Sequence, residues 1–217
     1  MGMTETLFSW LDSPQNTQRL TVQYRMNKAI MALANEVCYD GQLEAGSPEV
    51  EEGTMRLRIA VVEERREAWI NRALSPAMED SVLWISTEAL KQKGFHVKES
   101  AGIVNRCEAA MVQTLLRELQ KHGLPAREIG VMAPYRAQVN LLAQMVIHDS
   151  DLGQIEVNTV DQFQGQDKEV VIYSCVRSSA ESTESDVEAK GILEDHRRLT
   201  VAITRAKHKL VIFGNPQ

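Results

Sequence analysis

The sequence predicts an α/β domain built on a parallel sheet, with helices packed on both faces. Short apolar runs alternate along the 217 residues with segments of helical periodicity. Several of the runs are continuously apolar, which is typical of central strands in a parallel sheet covered from both sides. Apolar residues make up 43% of the chain, enough for a substantial core.

Six apolar runs bounded by turn residues predict the strands. They cover residues 20–24, 81–87, 129–133, 155–159, 170–176 and 210–213. The strands alternate with helical patterns, so that successive parallel strands are joined by crossover helices.

Apolar residues at helical spacing predict four of these helices. The first covers residues 28–37, and the second follows Asn105, which with Glu108 resembles a capping box. The third is opened by Pro134 at the end of the 129–133 strand. The fourth carries an apolar stripe formed by Leu199, Ala202, Ile203 and Ala206.

The chain divides into a lead-in, residues 1–19, and a domain, residues 20–217. Within the domain, residues 41–80 are less regular and are interpreted as an extension at the sheet edge or an insertion. Residues 178–190 are rich in Ser and Glu, which predicts a mobile surface loop.

Composition excludes several classes of protein. The net charge of −6 argues against a broad basic surface that grips nucleic acid by itself. The sequence contains no run of eighteen apolar residues, so no membrane association is expected. Cys38, Cys107 and Cys175 are far apart, which disfavours a disulfide framework or a zinc site and favours a reducing compartment.

Two segments carry arginines suited to phosphate. Tyr24 and Arg25 stand at the end of the first strand, although for this segment taken alone an ordinary strand end with a surface arginine is the favoured explanation. Arg198 and Arg205 are seven residues apart, which predicts that they share one helix face. That face is interpreted either as a solvated basic surface or as arginines presented to a phosphate across a cleft.

Two further segments are polar connections after strands. Pro134, Tyr135 and Arg136 stand at a predicted helix start, where free N–H groups suit an anion. Residues 157–169 combine the Thr159 hydroxyl with amides, carboxylates and Gly165, which permits close approach of a ligand. All four segments are expected at the carboxyl ends of the strands, where α/β sheets bind ligands.

Taken in order, the four segments resemble the later motifs of superfamily-one helicases of the B branch. That family reads QYRMHP, TPYxxQ, VDxFQGREKD and RRLNVALTRAK, where this sequence reads QYRMNK, APYRAQ, VDQFQGQDKE and RRLTVAITRAK. The resemblance covers residues 20–215 and, within the branch, extends to the eukaryotic replication nuclease-helicases of flap processing and end resection. It implies the RecA-like three-layer fold of the second, C-terminal motor domain.

The resemblance also implies roles for individual residues. Tyr24 would border the adenine, and Gly165 would let the backbone approach the nucleotide, with Gln164 and Arg198 nearby. Arg25, Arg205 and Asp167 would act at the γ-phosphate and ribose, while Gln166 departs from the family's usual arginine. The nucleic-acid backbone would be contacted by Thr159, Pro134, Tyr135 and Arg136.

The sequence contains no G-x-x-x-x-G-K-S/T, and no Asp-Glu pair ends an apolar strand to hold Mg²⁺. ATP and Mg²⁺ are therefore expected to be shared with a P-loop-bearing domain of the same protein, with none bound by this chain alone and little hydrolysis by it. The resemblance implies a 5′-to-3′ DNA helicase in the nucleus, with cytoplasm or mitochondrion as alternatives.

Two other functions stay open at this point. An RNA helicase of the nonsense-mediated-decay type would carry the same motifs, because they contact the nucleic-acid backbone more than the bases. An interaction module without a catalytic role would keep the fold, although retention of both Arg25 and Arg205 argues against it.

Overall fold

Five parallel strands form the central sheet, in the spatial order β3–β9–β8–β6–β7. The computed structural model describes residues 13, 15, 17–59, 66–163, 165–178 and 196–215, with the backbone alone for residues 92, 93 and 196–199. Most of the predicted 1–19 lead-in and of the 178–190 loop lies outside these residues. The sheet strands are β3 (Val82–Ser86), β6 (Ile129–Ala133), β7 (Glu156–Thr159), β8 (Lys168–Ser174) and β9 (Ala206–Gly214).

Two pairs of short strands lie outside this sheet. β1 (Val22–Gln23) pairs in parallel with β2 (Glu44–Ala45), and β4 (Val97–Glu99) pairs antiparallel with β5 (Gly102–Val104). The predicted first strand is therefore only two residues long and does not join the central sheet.

Six α-helices lie in the described part of the chain. They are α1 (Lys28–Ala34), α2 (Pro48–Glu51), α3 (Ala68–Leu74), α4 (Arg106–Lys121), α5 (Arg136–Ile147) and α6 (His196–Thr204). A π-helical turn (Asn35–Tyr39) continues α1, and 3-10 turns cover Met78–Asp80, Glu88–Gly94, Ala126–Glu128 and Val160–Phe163. The segment 41–80 thus contains β2 and two helices, of which α3 buries Ile70, Ala73 and Leu74 against the sheet.

The helices cover both faces of the sheet, which confirms the predicted three-layer architecture. Along β8, Val170 and Ile172 face α3, α4 and α5, whereas Val171 and Tyr173 face α1 and α6. Both sets are buried, as continuous apolar strands require. Burial on both faces holds the strands rigidly and fixes where each one begins and ends.

The fourth predicted helix is shorter than expected. It ends at Thr204, and Ala206 is the first residue of β9 rather than part of a helical stripe. β9 lies between β3 and β8 and hydrogen-bonds to both, so sheet pairing overrides the local helical period. Arg205 is therefore the residue between helix and strand, and the argument that it shares a helix face with Arg198 is wrong.

A buried polar network ties α4 and α5 to the end of β8. Asn105 caps α4 by accepting from the N–H of Glu108, as predicted, at 3.0 Å. Glu108 differs from an ordinary capping-box residue, because its Oε2 accepts from Ser174 Oγ at 2.5 Å. Gln138 of α5 accepts from the N–H of Asn105 and donates to Ser174 Oγ. Burial raises the pKa of Glu108 to about 7, against the lowering effect of its hydrogen bonds to Ser174 and Val176.

This pKa predicts that unfolding becomes easier as the pH rises from about 4.5 to about 7. The folded pKa lies above the ordinary value of 4.5, so the folded protein binds the proton more tightly and loses that advantage as the pH passes through 7. The corresponding loss is at most about 3 kcal/mol. Urea unfolding measured across this window should show the decline in the wild type and a flatter profile in Glu108→Gln.

The matched control is Glu52→Gln, which removes an exposed carboxylate paired with Lys28. It should keep the wild-type pH profile. Equal slopes in the wild type and in Glu108→Gln would contradict the assignment to Glu108.

Candidate functional site

The predicted site residues lie at the two opposite ends of the parallel strands. The side of the sheet where the strands begin is called the amino edge, and the side where they end is called the carboxyl edge. Asp167 and Arg205 directly precede β8 and β9, so they lie at the amino ends of the strands. Tyr135 and Thr159 lie at the carboxyl ends of β6 and β7. The expectation that all four segments meet at the carboxyl edge is therefore wrong. Asp167 and Arg205 lie at the amino edge, and Arg25 lies there with them.

A pocket of about 410 Å³ opens at the amino edge. It brings together four of the predicted nucleotide residues from three distant parts of the sequence. They are Tyr24, Arg25, Asp167 and Arg205, and the remaining wall is formed by Leu20, Val22, Gln23, Met26, Tyr39, Leu43 and Thr204.

Gln23 organises the turn that presents Tyr24 and Arg25. Its Oε1 accepts from the N–H groups of Arg25 at 2.8 Å and of Met26 at 2.7 Å, and its Nε2 donates to the carbonyl of Met26. The glutamine of this motif therefore fixes the backbone, so that the two following side chains reach the pocket.

The two arginines meet at Thr204, the last residue of α6. Arg25 Nη1 donates to the Thr204 carbonyl at 3.0 Å, and Arg205 Nη2 donates to Thr204 Oγ1 at 3.3 Å. The Nε atoms of both arginines are buried without a hydrogen-bond partner among the described residues. Burial and the positive charge of Arg25 lower the pKa of Arg205. Two half-buried cations, each with a buried and unused Nε donor, make a site that an anion would stabilise.

Asp167 provides the negative charge of the pocket. Lys207 Nζ lies 2.9 Å from its Oδ2. This hydrogen bond lowers the pKa of Asp167, and the charges of Arg25 and Arg205 act in the same direction. The adjacent Gln166 contacts Arg205 through its carbonyl, at 3.2 Å. Loss of the family's arginine side chain at position 166 leaves that contact unchanged, because it is a backbone contact.

Two local features shape the pocket wall around Tyr24 and Tyr39. Tyr24 is exposed, and its ring approaches Gly46 so closely that a Cβ there would be 2.2 Å from Cε1. The π-helical turn ends at Tyr39, and Asn35 ties that turn to Leu43 through two hydrogen bonds of 2.8 and 3.0 Å. Tyr39 and Leu43 thereby both line the pocket.

The carboxyl edge carries the second group of predicted residues. Pro134 and Tyr135 follow β6, and Arg136 is the exposed first residue of α5. No side chain of the described residues caps this helix at Tyr135. Thr159 ends β7, and its hydroxyl donates to Gln162 Oε1 at 3.1 Å. The edge therefore combines a helix N-terminus, a cation and a hydroxyl, which are groups that bind phosphate.

Three predicted nucleotide residues are not placed in the pocket. Gly165 has a positive φ of 83°, but it does not line the cavity. Gln164 and the side chain of Arg198 lie outside the described residues. Within the part of the chain that the structure describes, no cluster of three His, Cys, Asp or Glu side chains could hold a metal ion. Among the same residues, no helix has the length and apolar character needed to cross a bilayer.

Lys207, Tyr39 and Arg177 belong to these two edges and were not predicted. Lys207 lies within the last motif, so its motif position was the available signal. Tyr39 reaches the pocket only through the π-helical turn, which sequence periodicity does not show. Arg177 Nε donates to Tyr135 Oη at 2.8 Å, a contact between residues far apart in the sequence.

Comparison with known proteins gives consistent matches. A family model described as an AAA domain matches residues 3–217. The DNA replication ATP-dependent helicase/nuclease DNA2 is 39% identical over 223 residues in Xenopus tropicalis and 36% identical over 222 residues in Homo sapiens. JHS1 of Arabidopsis thaliana, which carries the same description, is 32% identical over 216 residues.

Each alignment covers 99% of this chain, which spans only 20% of the two DNA2 proteins and 15% of JHS1. Among solved structures, the C-terminal domain of a possible DNA helicase from Lactobacillus aligns over 89% of this chain and 88% of that one, with a TM-score of 0.43 and 11% identity. The family match over nearly the whole chain decides the assignment. The chain belongs to the AAA-domain family, and nearly its whole length is similar to one part of the DNA2 helicase/nucleases.

Proposed function

We propose that this chain is the second motor domain of an ATP-dependent 5′-to-3′ DNA helicase of the nuclease-helicase type, acting in replication and repair in the nucleus. The observation that carries the proposal is the meeting of Arg25 and Arg205 at one pocket, each with a buried and unpartnered Nε. A γ-phosphate held by another domain would supply the missing acceptors.

Arg25 and Arg205 act as the arginines supplied in trans to phosphoryl transfer. In that reaction, negative charge spreads over the γ-phosphate oxygens, and an arginine finger stabilises it. Asp167 holds Lys207 beside the arginines, and it contacts the ribose or helps to polarise the phosphate site. Tyr24 stacks on the base, for which its exposed ring beside Gly46 is suited.

The P-loop lysine and the Mg²⁺ ligands belong to a preceding domain of the same protein. The sequence of this chain contains no P-loop motif. Its described residues contain no cluster of side chains that could hold a metal ion. The nucleotide therefore binds between two domains, and hydrolysis alters how tightly they close. Each closure moves one nucleic-acid grip relative to the other, which is how a two-domain motor steps along a strand.

The carboxyl edge, with Tyr135, Arg136 and Thr159, contacts the backbone of a single nucleic-acid strand. We call this row of residues the track. We favour DNA over RNA because the relatives that match along the whole chain are described as DNA replication helicase/nucleases. Binding of RNA is the alternative, because contacts to phosphate alone do not distinguish RNA from DNA.

The arginine-finger role predicts a specific pattern of ATP hydrolysis. The 217-residue chain alone should hydrolyse no ATP, and a fusion to the preceding P-loop domain of a DNA2 relative should hydrolyse it. In that fusion, Arg205→Ala should lower kcat by roughly 10³–10⁵ because the transition-state charge loses its cation. Steady-state phosphate release measures the effect.

Arg127→Ala is the matched control, since Arg127 lies at the same sheet edge, does not line the pocket and pairs with Glu128. It should leave kcat unchanged, and thermal unfolding should show that both variants are folded. A fusion carrying Arg205→Ala that hydrolyses ATP as fast as the parent would refute the finger assignment.

The track role predicts salt-dependent binding of single strands by the 217-residue chain. Arg136→Ala should weaken the binding of a labelled oligothymidine and lower the slope of log Kd against log salt by about 0.7, the contribution of one phosphate contact. Fluorescence anisotropy at several salt concentrations measures both. With matched DNA and RNA oligonucleotides, binding should be at least as tight to DNA, and a clear preference for RNA would favour the alternative track.

A further inference from the structure

A strained turn follows β8 at the carboxyl edge. Val176 has a φ of +71°, although it is β-branched and fully buried. The N–H of Arg177 donates to the Cys175 carbonyl at 2.8 Å, which closes a three-residue turn around Val176. Turns of this kind are rare, and a β-branched residue in the left-handed region is a true outlier. Such strain persists only where the surroundings hold it, and it concentrates at functional sites.

The buried network holds this turn on both sides of Val176. Glu108 Oε2 accepts from the Val176 N–H at 2.9 Å, and Asn105 Nδ2 donates to the Val176 carbonyl at 3.1 Å. Two residues on, Ser178 pairs with His96, whose N–H donates to the Ser178 carbonyl at 3.0 Å. The residues on either side of Arg177 are therefore fixed by contacts to the interior.

The turn brings Arg177 to Tyr135, a residue of the proposed track. Its Nε–H donates to Tyr135 Oη at 2.8 Å, and its guanidinium carbon lies 5.8 Å from the centre of the tyrosine ring. An arginine held over a tyrosine combines a cation with a flat apolar surface, the pair of groups that proteins use for the phosphate and base of single strands.

The order of the strands places Arg177 in line with the other track residues. β8, β6 and β7 are neighbours in the sheet, and their carboxyl ends carry Arg177, Tyr135 with Arg136, and Thr159 in that order. Parallel strands are spaced about 4.8 Å apart, so the row crosses about 10 Å of the sheet edge. Arg177 therefore places a positive charge on the side of Tyr135 that faces away from Thr159.

We propose that Arg177 is a further nucleic-acid-binding residue, which contacts a backbone phosphate beside Tyr135, and that Glu108 is the positioning residue that holds it there. The proposal rests on the proposed function, because it extends the same track by one strand. It adds a contact outside the four motifs and explains why an unfavourable backbone conformation is kept at the end of a buried strand.

Oligothymidine binding by the 217-residue chain tests the proposal. Arg177→Ala should weaken binding about tenfold at low salt and reduce the salt slope by about 0.7. Arg177→Lys should restore most of the slope, because the charge returns, although the contact to Tyr135 is altered. The control Arg127→Ala, at the opposite sheet edge, should change neither quantity.

The positioning role is tested by a double-variant cycle. Glu108→Gln should weaken oligothymidine binding in the wild type but add nothing in the Arg177→Ala background, because residues that act as a unit are not additive. Ser174→Ala removes one hydrogen bond to Glu108 and provides a milder version if Glu108→Gln proves unstable. Equal, additive losses in both backgrounds would overturn the positioning role.

The outcomes separate this inference from the proposed function. If Arg136→Ala lowers the salt slope and Arg177→Ala does not, the track stands and the contact by Arg177 is wrong. If the wild-type chain binds oligothymidine without any salt dependence, or does not bind it, the track itself fails and the inference fails with it.

Discussion

The common direction of the five sheet strands is the constraint on which the rest of the structure depends. In a parallel sheet, every residue that precedes a strand lies at one edge and every residue that follows a strand lies at the other. Asp167 and Arg205 precede β8 and β9, whereas Tyr135, Thr159 and Arg177 follow β6, β7 and β8. β8 has seven residues, so the two edges are roughly 20 Å apart. The same strands therefore hold the two groups of candidate site residues at opposite edges of the sheet.

The two edges are assembled differently. The amino-edge pocket depends on contacts between distant segments, since Arg25 comes from a turn beside the small β1–β2 sheet and meets Arg205 at Thr204. The carboxyl edge depends on the interior, because Gln138, Asn105 and Glu108 join α4, α5 and β8 beneath it. The carboxyl edge contains Val176 with its positive φ, whereas no described residue that lines the pocket has a positive φ.

Much of the fold could be predicted from the sequence, because buried parallel strands and amphipathic helices leave strong local patterns. The four motif segments also identified most residues of both edges. Their placement was predicted wrongly because each motif was assigned to the strand before it. Asp167 and Arg205 instead directly precede the next strand, and β1, which comes before Arg25, lies outside the central sheet. Arg205 illustrates the limit, because its helical spacing from Arg198 is real in the sequence and is overridden by the pairing of β9 with two neighbours.

Residues whose roles depend on the interior were the ones that sequence patterns missed. Gln23 and Gln138 are motif glutamines, yet both act by hydrogen-bonding backbone or buried groups. Val176 carries no sequence signal for a left-handed conformation, which in the fold is accompanied by hydrogen bonds of Val176 with Glu108 and Asn105. The π-helical turn before Asp40 likewise places Tyr39 in the pocket without any change in apolar periodicity.

Separation of the two sites is tested most directly by amide chemical-shift mapping of the fusion to the P-loop domain of a DNA2 relative, in which only the 217-residue part is isotopically labelled. A non-hydrolysable ATP analogue should perturb residues of the amino edge, around Arg25, Asp167 and Arg205. An oligothymidine should perturb residues of the carboxyl edge, around Tyr135, Thr159 and Arg177, with little overlap between the two sets. Perturbation of the same edge by both ligands would contradict the account.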